Sequence, residues 1–435
     1  MKVAHVGPPL ARQGGPAGYL FQLCQAAAIA GALDGVTFPE AAPSRATATR
    51  PASRWSGARQ VLSKVKRAVG PAPRFDRPSD KSLRADHGHV ETIVAASNNT
   101  IVAEAQSSFD RAQAERADVL FCHDAAVAER ALDSRQPGQS IWLMVHTPMP
   151  AALYMTWNWG VPEKDWREIM TFQDVRRWTA WELAVWSSVD RLIIPCREAF
   201  GELVRIDPSV ARLERNLTYV LSGASLIGTE ARATISDSRR QELRRRFSLP
   251  LDEPVGLFLG SGQAYRGLDA LVRATRTLKS SQPGGGVAVA GPAKSSIQAS
   301  RRLIPLGPIA DVRGLLAAVD FVVNVNRFSL FDLSTIEALE AGKPLLMHAV
   351  GGNNTFRSLG AGCLMLSDLE PTTIADGLSR MFAMTSEQQA MLGAASRRCY
   401  EQHLTLEALW SRHAALYECQ RNLQSAICNL QFAHE

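Results

Sequence analysis

Two doubly wound α/β domains are expected from three features of the sequence. These are short uninterrupted apolar runs, helix-length periodic segments between them, and a charged break dividing the runs into two sets of four. The first set is VAHVG (3–7), ADVLFCHD (117–124), SIWLMVHTP (140–148) and DRLIIPC (190–196). The second is VGLFLGSG (255–262), GGVAVAGPA (285–293), DFVVNVN (320–326) and PLLMHAVGG (344–352). Continuous apolarity, as opposed to alternation, means that both faces of each strand are covered, the mark of parallel strands flanked by helices. The break is the Arg-rich Ser236 to Pro254, whose charges suit an exposed helix. The domains are therefore placed at 1–222 and 223–403, and a last helix, 404–435, is expected to cross back and brace the first domain.

With 435 residues, the chain is long enough for two cores. Its composition, 46% hydrophobic and 21% charged, excludes disordered and fibrous classes. The seven cysteines form no CxxC pair and no zinc spacing, so they read as reduced thiols in a cytoplasm. No stretch of 18 residues is apolar throughout. The N-terminus reads as a buried strand and a helix in preference to a signal peptide. Net charge is +6, but residues 43–84 hold eleven Lys/Arg against two Asp, a local +9 that leaves the rest of the chain at −3. This insertion removes most of the support for nucleic-acid binding. Within it, 54–69 is a basic amphipathic segment that suits either an anionic membrane surface or packing on the first domain.

The most specific pattern starts at Asn326: NRFSLFDLSTIEALEAGKPLL. A strand ends, a loop with Phe331, Asp332 and Leu333 follows, and a helix from about 334 to 342 carries Glu337 on its first turn. A helix N-terminus offers backbone N–H groups to an anion, and a carboxylate accepts two hydrogen bonds from a diol. This pattern resembles the donor loop of retaining glycosyltransferases of family 4, which have the GT-B fold. Phe331, Leu333, Glu337, Ala338, Gly342 and Pro344 match, whereas Ser329 replaces the family's first Glu and Asp332 a usual Gly. LFLGSGQAYRGLDALVRA (257–274) resembles the first strand, loop and helix of the family's nucleotide domain. There Gly262 lies in the glycine-bearing loop, Arg266 fills the position of a phosphate-binding Lys, and Ser261 replaces an Arg. Gly14 and Gly15 resemble the family's glycine-rich loop, and His146 the histidine that faces the donor sugar.

The resemblance implies a glycosyltransferase that moves a hexosyl or deoxyhexosyl group, with retention, from a nucleotide-diphosphate sugar to a glycan or lipid-linked acceptor. It further implies surface polysaccharide or glycoconjugate synthesis at the inner face of a membrane. Glu337 would hold the ribose, the 331–333 backbone the sugar, and Arg266 the leaving diphosphate. No cofactor and no metal are expected, since no DxD-type cluster ends a strand. Oligomeric state is not legible.

Seven of nine tryptophans lie between 142 and 186. Trp178, Trp181 and Trp186 have the spacing of one helix face and suit a core. The segment with Trp157 and Trp159 reads as a loop, suited to stacking on acceptor sugars or to a membrane interface. His123 and Asp124, at a strand end, are further acceptor-side candidates. Two alternatives stay open: a nucleotide-sugar epimerase on the same fold, and a non-catalytic sugar-nucleotide-binding subunit suggested by Ser261 and Ser329.

Overall fold

The structure is a computed structural model describing residues 1–11, 15–40, 117–160, 162, 164–226, 236–278 and 283–432, with backbone alone for 159, 160 and 424–432. Gly14, the basic insertion 43–84 with its amphipathic segment, and most of the 222–238 boundary region lie outside the described residues.

Each half of the chain forms a six-stranded sheet in which every pairing is parallel. The first has the order β2-β1-β3-β4-β5-β6, with β1 Val3–Val6, β2 Val36–Thr37, β3 Val119–Cys122, β4 Ser140–Met144, β5 Arg191–Ile194 and β6 Leu217–Tyr219. The second has the order β12-β11-β10-β7-β8-β9, with β7 Val255–Leu259, β8 Gly286–Ala290, β9 Leu303–Gly307, β10 Phe321–Asn324, β11 Leu345–His348 and β12 Cys363–Leu366. Strands β1, β3, β4, β8 and β10 are buried along their whole length, as strands covered by helices on both faces must be.

The Arg-rich helix Asp237–Arg246 is mostly exposed but turns Leu243 and Arg244 inward. The Arg244 guanidinium is buried, pairs with Asp320 at 2.6 Å, and donates to the carbonyls of Ala318, Pro250, Leu251 and Glu253. Asp320 also accepts the Val255 N–H at 2.6 Å and an ion pair from Arg240. A buried guanidinium is tolerable because its donors are used, and here they tie the helix to the start of β7.

The last helix, Leu406–Phe432, lies against the helix Gly15–Ile29 of the first half. Its Leu409, Leu416 and Tyr417 share a core with Val3, Tyr19, Leu23, Phe121 and Trp142. The chain thus starts and finishes in one layer, with the second sheet between.

Apolar contact and a few hydrogen bonds join the halves. Phe328 of the second half packs with Trp157, Ile169 and Ile206 of the first. Thr355 donates to Glu198 at 2.7 Å, and Gln263 to the Tyr154 hydroxyl at 2.8 Å.

Candidate active site

Open α/β sheets present ligand sites at the carboxyl ends of their strands. In the second sheet a pocket lies at the ends of β7 and β10, lined by Arg266, Asn324, Asn326, Ser334 and Thr335. Arg266 follows β7 on a short turn, and Gly267 beyond it has φ +71 with its would-be Cβ 2.0 Å from the Val325 carbonyl, so only glycine fits this crossing. The Arg266 guanidinium lies 2.8 Å from the Asp332 carboxylate and over the Tyr265 ring at 4.9 Å. Asp332 and Tyr265 beside it hold it firmly cationic, although burial opposes the charge.

Asp332 is also the acceptor for the side-chain amides of Asn326 and Asn324, the latter at 3.3 Å. Asn324 donates to Thr335 at 3.0 Å, and Asn353 donates to the His348 carbonyl at 3.0 Å. His348 Nδ1 meets the Asn326 carbonyl oxygen at 2.7 Å. The sequence reading missed these asparagines, though DFVVNVN carries the signal: two amides ending an otherwise apolar strand must find polar work.

The helix after this loop spans Leu333–Glu340 and puts Glu337 at the start of the second turn, not the first. Its carboxylate makes no hydrogen bond among the described residues. Burial, and Glu340 nearby, push it up to about 7. Glu340 itself is engaged, accepting from the Leu226 N–H at 2.6 Å and Ser225 at 3.0 Å.

Four other donor-side candidates fall out as follows. Ser329, 1% exposed, donates to Asn353 at 2.9 Å beneath the loop, so its hydroxyl is not offered to a ligand. Phe331, 4% exposed, stacks on Phe356 with centroids 4.1 Å apart, so its ring belongs to the core. Ser261 and Gly262 are exposed, and Ser261 donates to Gln263 at 2.6 Å.

In the first sheet, Gly15 opens the helix after β1, with nothing within 4 Å of its would-be Cβ. His146 follows β4, half-buried, with its Nε2 2.7 Å from Nδ1 of His123. Burial lowers it to about 3, so it stays neutral. His123 is only 2% exposed and lies behind His146, and Asp124 caps the helix Ala125–Asp133 through the Val127 N–H at 2.8 Å. The acceptor contact expected of His123 is therefore corrected, since its ring is buried behind His146, while Asp124 is half-buried and serves as a cap.

Trp157 is corrected likewise. Its segment is not a loop but the helix Ala151–Met155 continued by a π turn, Thr156–Gly160. The indole is 4% exposed, donates to the Lys164 carbonyl at 3.1 Å, and meets the Phe328 ring edge-on at 5.8 Å, which leaves no face for a sugar. The Trp159 side chain lies outside the described residues. Trp178 and Trp186 are buried, and Trp181 donates to Glu129 at 2.6 Å.

Residues 253–384 match the family model of glycosyl transferases group 1. Solved structures cover nearly the whole chain. Sucrose-phosphate synthase from Thermosynechococcus elongatus aligns over 98% of this chain and 99% of its own, at TM-score 0.62 and 17% identity. Anabaena Alr3699/HepE in complex with UDP and glucose aligns over 96% and 99%, at 0.58 and 15%. The fold is GT-B. Within it, the stretch that matches the group 1 model, residues 253–384, lies in the second half. Among curated proteins, D-inositol 3-phosphate glycosyltransferase of Salinispora tropica is 27% identical over 244 residues, 50% of this chain and 48% of that protein. The enzyme of that name from Actinosynnema mirum is 31% identical over 176 residues, 36% and 42%. The matched part is thus about half the length of these relatives or less. No helix among the described residues is long and apolar enough to cross a membrane.

Proposed function

We propose that this GT-B protein transfers a hexosyl or deoxyhexosyl group, with retention, from a nucleotide-diphosphate sugar to a glycan or lipid-linked acceptor. The observation that carries this reading is the pairing of two groups at the rim of one sheet: the guanidinium of Arg266 on the pocket wall, and the carboxylate of Glu337 on the adjoining helix, unengaged among the described residues. A cation answers a diphosphate, and a carboxylate free of protein donors answers the two hydroxyls of a ribose. The complexes of the Anabaena neighbour with UDP and UDP-glucose support the choice of donor class. The curated relatives' name, with an inositol phosphate in it, supports a polyol or phosphorylated acceptor.

The chemistry asked of the protein is electrostatic. Arg266 would stabilise charge gathering on the departing diphosphate, where one well-placed donor lowers the barrier by about 3 kcal/mol. No metal enters the scheme, and the basic segment 54–69 would hold the enzyme to the cytoplasmic face of a membrane, near a lipid-linked acceptor. Incubation with a panel of nucleotide sugars, with and without EDTA, and NMR of the product anomer tests the proposal. A new α-glycoside from an α-linked donor supports it. Isomerised donor would mean an epimerase, and binding without turnover a non-catalytic subunit.

A further inference from the structure

His146 is the half-buried end of a hydrogen-bonded chain that runs through the first half, passes along the last helix and finishes at Tyr19 on the first. His146 Nε2 meets His123 Nδ1 at 2.7 Å, and His123 Nε2 meets His5 Nδ1 at 3.0 Å. His5 Nε2 meets the Tyr417 hydroxyl at 2.9 Å, that hydroxyl meets His413 Nδ1 at 3.1 Å, and His413 Nε2 meets the Tyr19 hydroxyl at 2.6 Å. All but His146 are buried. Four imidazoles and two phenols from β1, the ends of β3 and β4, the first helix and the last are thus threaded on one line. Burial keeps all four rings neutral, so each has one N–H and one bare nitrogen.

Neutral rings in series cannot choose tautomers independently. Between two imidazoles one nitrogen must donate and the other accept, so fixing one link fixes its neighbours. Tyr417 has a single O–H for two ring nitrogens. If it donates to His413, the rest of the chain forces a bare Nδ1 on His146; if it donates to His5, His146 presents Nδ1–H. Arg412, next to His413 on the last helix, supplies a charge that would bias the choice. It acts electrostatically on both Tyr19 and His413, at the far end. Its guanidinium is anchored to the Leu221 carbonyl at 3.3 Å and to that of His403. A cation at one end of a chain of dipoles turns every O–H and N–H away from itself.

We propose that this chain is a positioning device that runs Tyr19 → His413 → Tyr417 → His5 → His123 → His146 from donor to acceptor, holding all four histidines as Nδ1–H tautomers, so that His146 offers an N–H to an oxygen in the site. His5, His123, His413, Tyr19 and Tyr417 are positioning residues that act through His146. The use made of that N–H, a hydrogen bond to a hydroxyl of the donor sugar, rests on the glycosyltransferase reading. The tautomer does not.

The test is ¹⁵N NMR of histidine-labelled full-length protein near neutral pH, with the His146 signals assigned by their loss in His146→Gln. The expected pattern for His146 is a pyrrole-type Nδ1 and a pyridine-type Nε2. In Tyr417→Phe, which severs the chain 3 links from His146, the two nitrogens should move to intermediate, averaged shifts. Arg412→Gln, which removes the orienting charge, gives the same reading should Tyr417→Phe fail to fold. A pyridine-type Nδ1 in the wild type, or unchanged His146 shifts in both variants, overturns the proposal. Because no substrate is present, neither result bears on whether sugar is transferred.

Discussion

Arg266 and Asp332 form an ion pair at 2.8 Å at the mouth of the second sheet, and Asp332 stands where the resembling family has glycine. The cation expected to meet a diphosphate therefore already has a carboxylate beside it, and a ligand must compete with that carboxylate. Asp332→Asn keeps the hydrogen-bonded shape and frees the charge. Affinity for UDP, measured by calorimetry, should tighten about tenfold, or about 1.4 kcal/mol, and more steeply at low salt. Unchanged affinity would remove Arg266 from diphosphate binding.

Arg266→Ala tests the same group from the other side. Loss of a donor to charge that develops only in the transition state lowers turnover by roughly 100- to 1,000-fold, with a smaller change in KM. A rise in KM at constant turnover would assign Arg266 to ground-state binding instead.

Glu337 carries a pH signature. Burial and Glu340 raise its carboxyl to about 7, and only the ionised form accepts from both hydroxyls of a diol. Nucleotide binding should strengthen as pH rises from 6 to 8 and lose that slope in Glu337→Gln, whereas Glu337→Ala should reduce activity by at least 100-fold. The sign for stability is opposite: a raised carboxyl helps the fold below its unfolded value near 4.5 and loses that help as pH rises through 7.

Glu182 should behave as a buried acid with no ligand role. Burial pushes it up to about 8, with Asp124 contributing, while the Ala151 N–H at 2.7 Å opposes the shift. Its stabilisation is present below about 4.5 and lost as pH rises through 8. Glu182→Gln should raise Tm at pH 9 relative to wild type by several degrees and leave it almost unchanged at pH 5. A gain of equal size at both values would point to packing.

Phe328, 1% exposed, has Trp157 edge-on at 5.8 Å and Trp166 edge-on at 5.5 Å, with the Arg205 guanidinium over its ring at 4.8 Å. Phe328→Ala should cost about 3–5 kcal/mol, seen in urea unfolding, and should loosen the two halves from each other. A cost below about 1 kcal/mol would mean that the tryptophans refill the space.

The eight runs read from the sequence became the eight inner strands, β1, β3, β4, β5, β7, β8, β10 and β11. The four missed strands, β2, β6, β9 and β12, are the four sheet edges. An edge strand has a neighbour on one side only and is half-covered, so it need not be apolar throughout; LTY, and LIPLG with Pro305 inside it, do not announce themselves. Around the candidate site, Arg266, Glu337 and His146 are the residues that the motifs single out. Ser329, Trp157 and His123 were misplaced because sequence shows residue type but not which way a side chain turns. The Tyr417 to His5 contact spans 412 positions, and no local pattern reaches that far.

That span sets an order of events during synthesis. The core that Val3, Tyr19 and Trp142 build cannot close until Leu409, Leu416 and Tyr417 have left the ribosome, after the whole second half. At about 5–20 residues per second, the first half waits on the order of ten seconds or more with an apolar face open, while the second folds behind it. The half that is made first is finished last.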